Sequence, residues 1–159
     1  MNQCELIKVC DLTWEDLIPT HDPTCQYCNT CAQQVFLSHT KADFELLSSL
    51  RHCVALAENH EFSQDLGKMG EPKTLYWMNK ADFAVYLTVP SPISATQKTH
   101  IQQMLGKCID ANTLALILSG ERVYLFDLDT APAWVLVEKM KPFHIQVELT
   151  PNATNKPTF

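Results

Sequence analysis

Two stretches of this chain carry apolar side chains at the helical period. Phe44, Leu47 and Leu50 recur over residues 41–51 with Leu46 beside them, and Ile101, Met104, Leu105, Cys108 and Ile109 follow the i, i+3, i+4, i+7, i+8 rule. Each stripe is one-sided, so each predicts an amphipathic helix that needs a sheet beneath it. Elsewhere the period falls to two. Phe83, Val85, Leu87 and Val89 alternate with Ala84, Tyr86 and Thr88, a strand ended by Pro90 and Pro92. Shorter apolar runs predict strands at Val35–Leu37, Cys53–Ala57, Val123–Leu128, Trp134–Val137 and His144–Leu149. Thr113–Ser119 is apolar on both faces and reads as a central strand, turned by Ser119–Arg122 into the next one as a hairpin.

Three short polar patterns mark helix starts. Thr13-Trp-Glu-Asp16, Thr40-Lys-Ala-Asp43 and Ser94-Ala-Thr-Gln97 each match a capping box, in which two side chains satisfy each other's free backbone donors. The first would open one turn carrying Trp14, Leu17 and Ile18 inward until Pro19 stops it. Residues 58–73 hold two of the four glycines, a proline and mostly polar side chains, which predicts a linker. The expected organisation is a module over residues 1–60, an antiparallel α+β domain over 74–150, and a frayed tail over 151–159. The fold class is thus α+β, a small metal-stapled module followed by a mostly antiparallel sheet with one packed amphipathic helix.

Hydrophobic residues make up 46% of the chain, enough for a real core. No apolar run approaches the roughly 20 residues of a membrane helix, and the start lacks a secretory signal, so a cytoplasmic location is expected. The net charge of −6 is uneven: residues 1–60 carry Lys8, Lys41 and Arg51 against eight acidic side chains, a net −5. Tight phosphate binding needs clustered Lys and Arg, which are missing, so nucleic acid is an unfavourable ligand and a basic protein a better one.

The candidate chemistry lies in the cysteines. Cys25-Gln-Tyr-Cys28-Asn-Thr-Cys31 brings three thiols together among seven cysteines in all. In a reducing compartment such clusters hold metal more often than they form disulfides. A Cys-x2-Cys pair gives half of a tetrahedral zinc shell. Cys10, before the first helical turn, and Cys53, at the start of a strand, flank elements that must pack on this turn, so they are the expected remaining ligands. His39 and His52 are alternates. The local pair is either Cys28 with Cys31 or Cys25 with Cys28. Asn29 suits the left-handed backbone that a knuckle closed at Cys28 would want, whereas Phe36 falls where a strand residue should if Cys28 and Cys31 pair. Iron–sulfur ligation is a lesser expectation, because no fourth cysteine follows closely behind Cys31. Four cysteines would fill the shell, so the zinc is expected to be structural and to staple a small module.

Cys10, Trp14, Leu17 and Thr20, then Cys28-x-x-Cys31, Val35-Phe36 and Cys53-Val-Ala, resemble a zinc-knuckle pattern at the start of many small uncharacterised bacterial proteins. The resemblance covers about residues 4–57 and implies a metal-stapled module without implying a function.

The chain lacks a phosphate-cradling glycine loop, a nucleophile elbow and a His-Glu-x-x-His helix. Asp127 and Asp129 lie two apart at a strand end, where paired carboxylates could meet a Mg²⁺ but more often are solvated. The aromatics Tyr76, Trp77, Tyr86, Tyr124 and Trp134 are candidates for an interface or for core. The expected role is non-enzymatic protein binding, on the pattern of an immunity protein that covers the active site of a basic toxin. A metalloenzyme or redox protein using the cysteine cluster, and a zinc-ribbon regulator touching nucleic acid, are the alternatives.

Overall fold

All three capping patterns open helical turns in the structure, a computed structural model that describes residues 6–9, 12–57, 69–72 and 82–152. Thr13 N donates to Asp16 Oδ2 at 2.9 Å and starts a single 3₁₀ turn, Trp14–Asp16. Asp43 N donates to Thr40 Oγ1 at 3.1 Å, and the Asp43 carboxylate accepts from His39 N rather than Thr40 N. Ser94 N donates to Gln97 Oε1 at 2.9 Å while Gln97 N donates to Ser94 Oγ at 3.1 Å. In each case the donors freed at a helix start find a partner a few residues away.

The chain divides into two compact units, residues 1–75 and 76–159. In the first, six strands lie in the order β1-β6-β5-β4-β3-β2. These are β1 (Leu6–Val9), β2 (Ile18–Pro19), β3 (Cys25–Cys28), β4 (Gln33–Ser38), β5 (Cys53–Leu56) and β6 (Met69–Pro72). Only β4 and β5 run parallel, and helix α1 (Lys41–Ser49) makes the crossover between them; the other described pairs are antiparallel. Met69–Pro72, expected in the linker, instead pairs with both β5 and β1. Its Met69 is buried in the sheet, and backbone pairing outweighs the turn-like composition of Gly70 and Pro72. The rest of the predicted linker, residues 58–68, lies outside the described residues.

Alternation sorts this sheet into two faces. Cys28, Val35, Cys53, Ala55 and Met69 share one buried cluster with Leu17, and Leu12, Trp14 and Leu37 pack against it. The Gln26 amide is set between the Trp14 indole N–H, from which it accepts, and the Leu17 carbonyl, to which it donates. Cys25, Phe36, Val54 and Leu56 fall on the alternate positions and are also buried, as are Phe44, Leu46 and Leu47 of α1, which packs on β4 and β5. Each of these large side chains contributes about 1.5–3 kcal/mol by leaving water.

The second unit is a three-stranded antiparallel sheet, β8-β7-β9, with β7 (Phe83–Thr88) between β8 (Val123–Leu128) and β9 (Gln146–Pro151). Three helices join these strands: α2 (Ala95–Leu105), α3 (Ala111–Leu118) and α4 (Thr130–Met140). Two of them correct the sequence expectation. Residues 113–119 are helical, not a central strand, because Asp110 caps the segment (Thr113 N to Asp110 Oδ1, 2.7 Å) and only Ile117 is fully buried. Trp134–Val137 is also helical: Ala133, Leu136 and Met140 line one buried face while Trp134 points outward. Ser119–Arg122 therefore joins a helix to a strand rather than two strands, with Gly120 left-handed at φ 88°. The antiparallel sheet is present, but among the described residues three α-helices rather than one accompany it. Beyond Asn152 the expected tail lies outside the described residues.

Candidate functional site

The β3–β4 turn places the cysteines. Cys28 pairs across the ladder with Gln33, so Asn29, Thr30, Cys31 and Ala32 form the loop between them. Ala32, immediately after Cys31, takes the left-handed conformation at φ 54°; Asn29 is not among the left-handed residues. Cys25 pairs with Phe36 and Cys28 with Gln33 in one uninterrupted register. Residues three apart on a regular strand face opposite sides of the sheet. Cys25 and Cys28 are both buried, on opposite faces, so this strand does not present them side by side.

Cys28 and Cys53 share the cluster under Leu12 and Trp14. The Cys53 thiol donates to Gln33 Oε1 at 3.1 Å, which ties the start of β5 to the residue that faces Cys28. Cys31 is exposed at the turn. Cys10 lies outside the described residues. Among the described residues, no group of three or more Cys, His, Asp or Glu side chains is gathered closely enough to hold a metal ion. His39 is exposed after β4, with its backbone N–H donating to Asp43. His52 is buried with its ring 4.3 Å from that of Phe36, on the face opposite Cys28 and Cys53. His52 thus lies on the Cys25 side of the sheet, against the residue that pairs with Cys25.

A second feature, less visible in the sequence, is the sheet face of the second unit that the buried positions leave outward. Val85, Leu87, Val123 and Leu128 point into the core, and α4 packs on β7 and β9 while α3 lies on β8. The opposite face displays Tyr86, Tyr124, Asp127 and Glu148, with Arg122 just ahead of β8. The Arg122 guanidinium lies 3.8 Å from the centre of the Tyr86 ring, and its Nε donates to Glu148. That bond holds the Glu148 carboxyl below its ordinary range and the Arg122 guanidinium above its own. Tyr124 meets Tyr86 edge-on at 5.6 Å and donates its hydroxyl to Asp127 Oδ1 at 3.0 Å. Partial burial, then this bond to Asp127, pushes the Tyr124 phenol up.

Tyr124 and Asp127 are also three apart, yet they share a face. The pairing passes from Tyr86–Tyr124 directly to Val85–Phe126, so Leu125 is an extra residue in β8 and shifts the alternation. Tyr86 and Tyr124 were among the aromatic candidates, but the bulge that brings Asp127 to them leaves no mark in the hydrophobic pattern. Asp129 follows the strand and stands at the start of α4.

An open cleft of about 350 Å³ lies at the start of α2, lined by Ser94, Thr96, Gln97, Pro142, Phe143 and His144. Two of its polar side chains are already engaged, since Ser94 and Gln97 cap each other and Gln97 Nε2 donates to Phe143 O at 2.9 Å. No helix among the described residues is long and apolar enough to cross a membrane. No protein-family model matches the chain, and neither does any curated protein or solved structure.

Proposed function

We infer that this chain is a non-enzymatic protein-binding protein that takes a basic partner, with its first unit held by a structural zinc ion. The observation that carries the binding role is the outward face of the β8-β7-β9 sheet. There two tyrosines, an arginine and two carboxylates stand together, and Tyr124 remains 49% exposed. Tyrosine and arginine are the side chains that most often anchor protein interfaces. The charge of −6, concentrated in residues 1–60, favours a basic partner and speeds its approach.

The zinc reading is supported by Cys28 and Cys53 sharing one buried cluster and by Cys31 at the adjoining turn. Cys28, Cys31 and Cys53 are not gathered in this structure, so these three and Cys10 would have to draw together around an ion to close a tetrahedral shell with no position open for water. Zinc held in this way supplies folding energy and no reaction.

The finer reading is an immunity-type inhibitor, in which the acidic chain covers the active site of a basic toxin and excludes its substrate. The test is affinity capture from the native host, with the retained protein identified and its activity assayed against added chain. A basic protein retained at low salt, released at high salt, and inhibited in proportion to the chain added is the expected result. Retention of no basic protein, or binding indifferent to salt, overturns the reading.

A further inference from the structure

The open face of the second sheet holds two tyrosine–carboxylate pairs side by side, and they are filled differently. In one, the Arg122 guanidinium stacks on the Tyr86 ring at 3.8 Å and pairs with Glu148, which stands opposite Tyr86 on β9. In the other, Tyr124 and Asp127 are joined by one hydrogen bond of 3.0 Å, and among the described residues no cation reaches them. Both side chains of the second pair are exposed. The molecule thus carries its own example of how this face holds a guanidinium, with a second set of the same groups beside it.

We propose that Tyr124 and Asp127 form a docking site for an arginine side chain of the basic protein partner, held as Arg122 is held by Tyr86 and Glu148. This assignment rests on the reading of the chain as a protein-binding protein and names where that binding is anchored. A planar guanidinium lies flat on an aromatic ring while its fork reaches a carboxylate, and an ammonium does only the second well. The Tyr124 hydroxyl uses Oδ1 of Asp127, which leaves Oδ2 to accept from the incoming group and orients the carboxylate for it. Charge points the same way: Glu148 is matched by Arg122, so Asp127 carries the uncompensated negative charge of the face. A nucleic acid strand could stack on tyrosine, but its phosphates would meet Asp127 and Glu148. The Leu125 bulge gives a structural reason to regard the pair as built, since a regular strand would turn Tyr124 and Asp127 to opposite sides.

The experiment is a nuclear magnetic resonance titration of the full chain with three probes: blocked Gly-Arg-Gly, blocked Gly-Lys-Gly, and a short single-stranded oligothymidine. The arginine peptide is expected to give saturable shifts centred on the Tyr124 ring and the Asp127 amide, with the lysine peptide several-fold weaker. Asp127→Asn should weaken arginine-peptide binding about tenfold, the loss expected of one charge-assisted contact. Tyr124→Ala should do the same, with unchanged β7 and β9 amide signals showing that the sheet is intact. Shifts that are absent, that spread evenly over acidic residues, or that persist in Asp127→Asn overturn the site. Saturation by the oligonucleotide at lower concentration than by the arginine peptide also overturns it. If a basic partner is captured but the peptide leaves Tyr124 unmoved, this site is wrong and the binding role stands. If the peptide binds in an Asp127-dependent way and no basic partner exists, the site stands and the role falls.

Discussion

A spacing of three residues has opposite consequences at two places in this molecule. Cys25 and Cys28 sit on an unbroken strand and face opposite ways, whereas Tyr124 and Asp127 are brought to one side by the extra residue Leu125. The first outcome separates roles that the sequence left joined. If the first unit holds the proposed zinc ion, Cys25→Ala is expected to leave the metal content unchanged, at some cost in core packing, while Cys28→Ser is expected to abolish it. Elemental analysis of both variants checks this; equal metal content in the two would contradict the ligand assignment. Cysteine spacing put three thiols on one hairpin, but which of them share a face depends on where the strand begins, and no residue type announces that. Ala32 is a further case, since a left-handed residue after Cys31 would have been guessed only as glycine or asparagine.

At the level of elements, polar signals read better than apolar ones. The three capping patterns located the first 3₁₀ turn, α1 and α2, because a cap is a local hydrogen bond that needs nothing from the rest of the fold. α3 and α4 were missed for a physical reason: Thr, Ile, Val and Trp in these segments weigh toward strand, and burial along a helix face overrode that preference. The signals that would have found them are Asp110 three residues before Thr113, and the Ala133, Leu136, Met140 spacing. Thr40→Ala removes the acceptor for Asp43 N and should destabilise the first unit by about 1 kcal/mol, measured by urea unfolding. The caps also set a pH dependence. The Thr113 and Thr13 backbone N–H groups hold the Asp110 and Asp16 carboxyls below the ordinary carboxylate range. A carboxyl whose folded pKa is depressed favours folding above its unfolded value, and that contribution is lost as pH falls through the folded value. The Thr113 amide shift should therefore hold steady down to the ordinary carboxylate range and move only below it, as seen in a pH titration followed by nuclear magnetic resonance.

For the molecule as a whole, the division into two units was readable from the change of period, but its position was not. The strand Met69–Pro72 looks like linker in composition and belongs to the first sheet. If zinc staples only that first sheet, chelation should collapse the amide dispersion of residues 12–57 and leave the signals of β7, β8 and β9 in place, since the second unit has its own core around Leu87, Ile101 and Leu136. Simultaneous loss of both sets would refute a staple confined to one unit. The second sheet has a consequence of its own. Its middle strand is the earliest in sequence, and the ladder that locks one side of it joins Phe83 to Pro151. A shortened product lacking that final strand would leave Val85 and Leu87 beside an open edge, ready to recruit a stranger's backbone. Quality control in the cell would meet such fragments as aggregates rather than as half-working proteins.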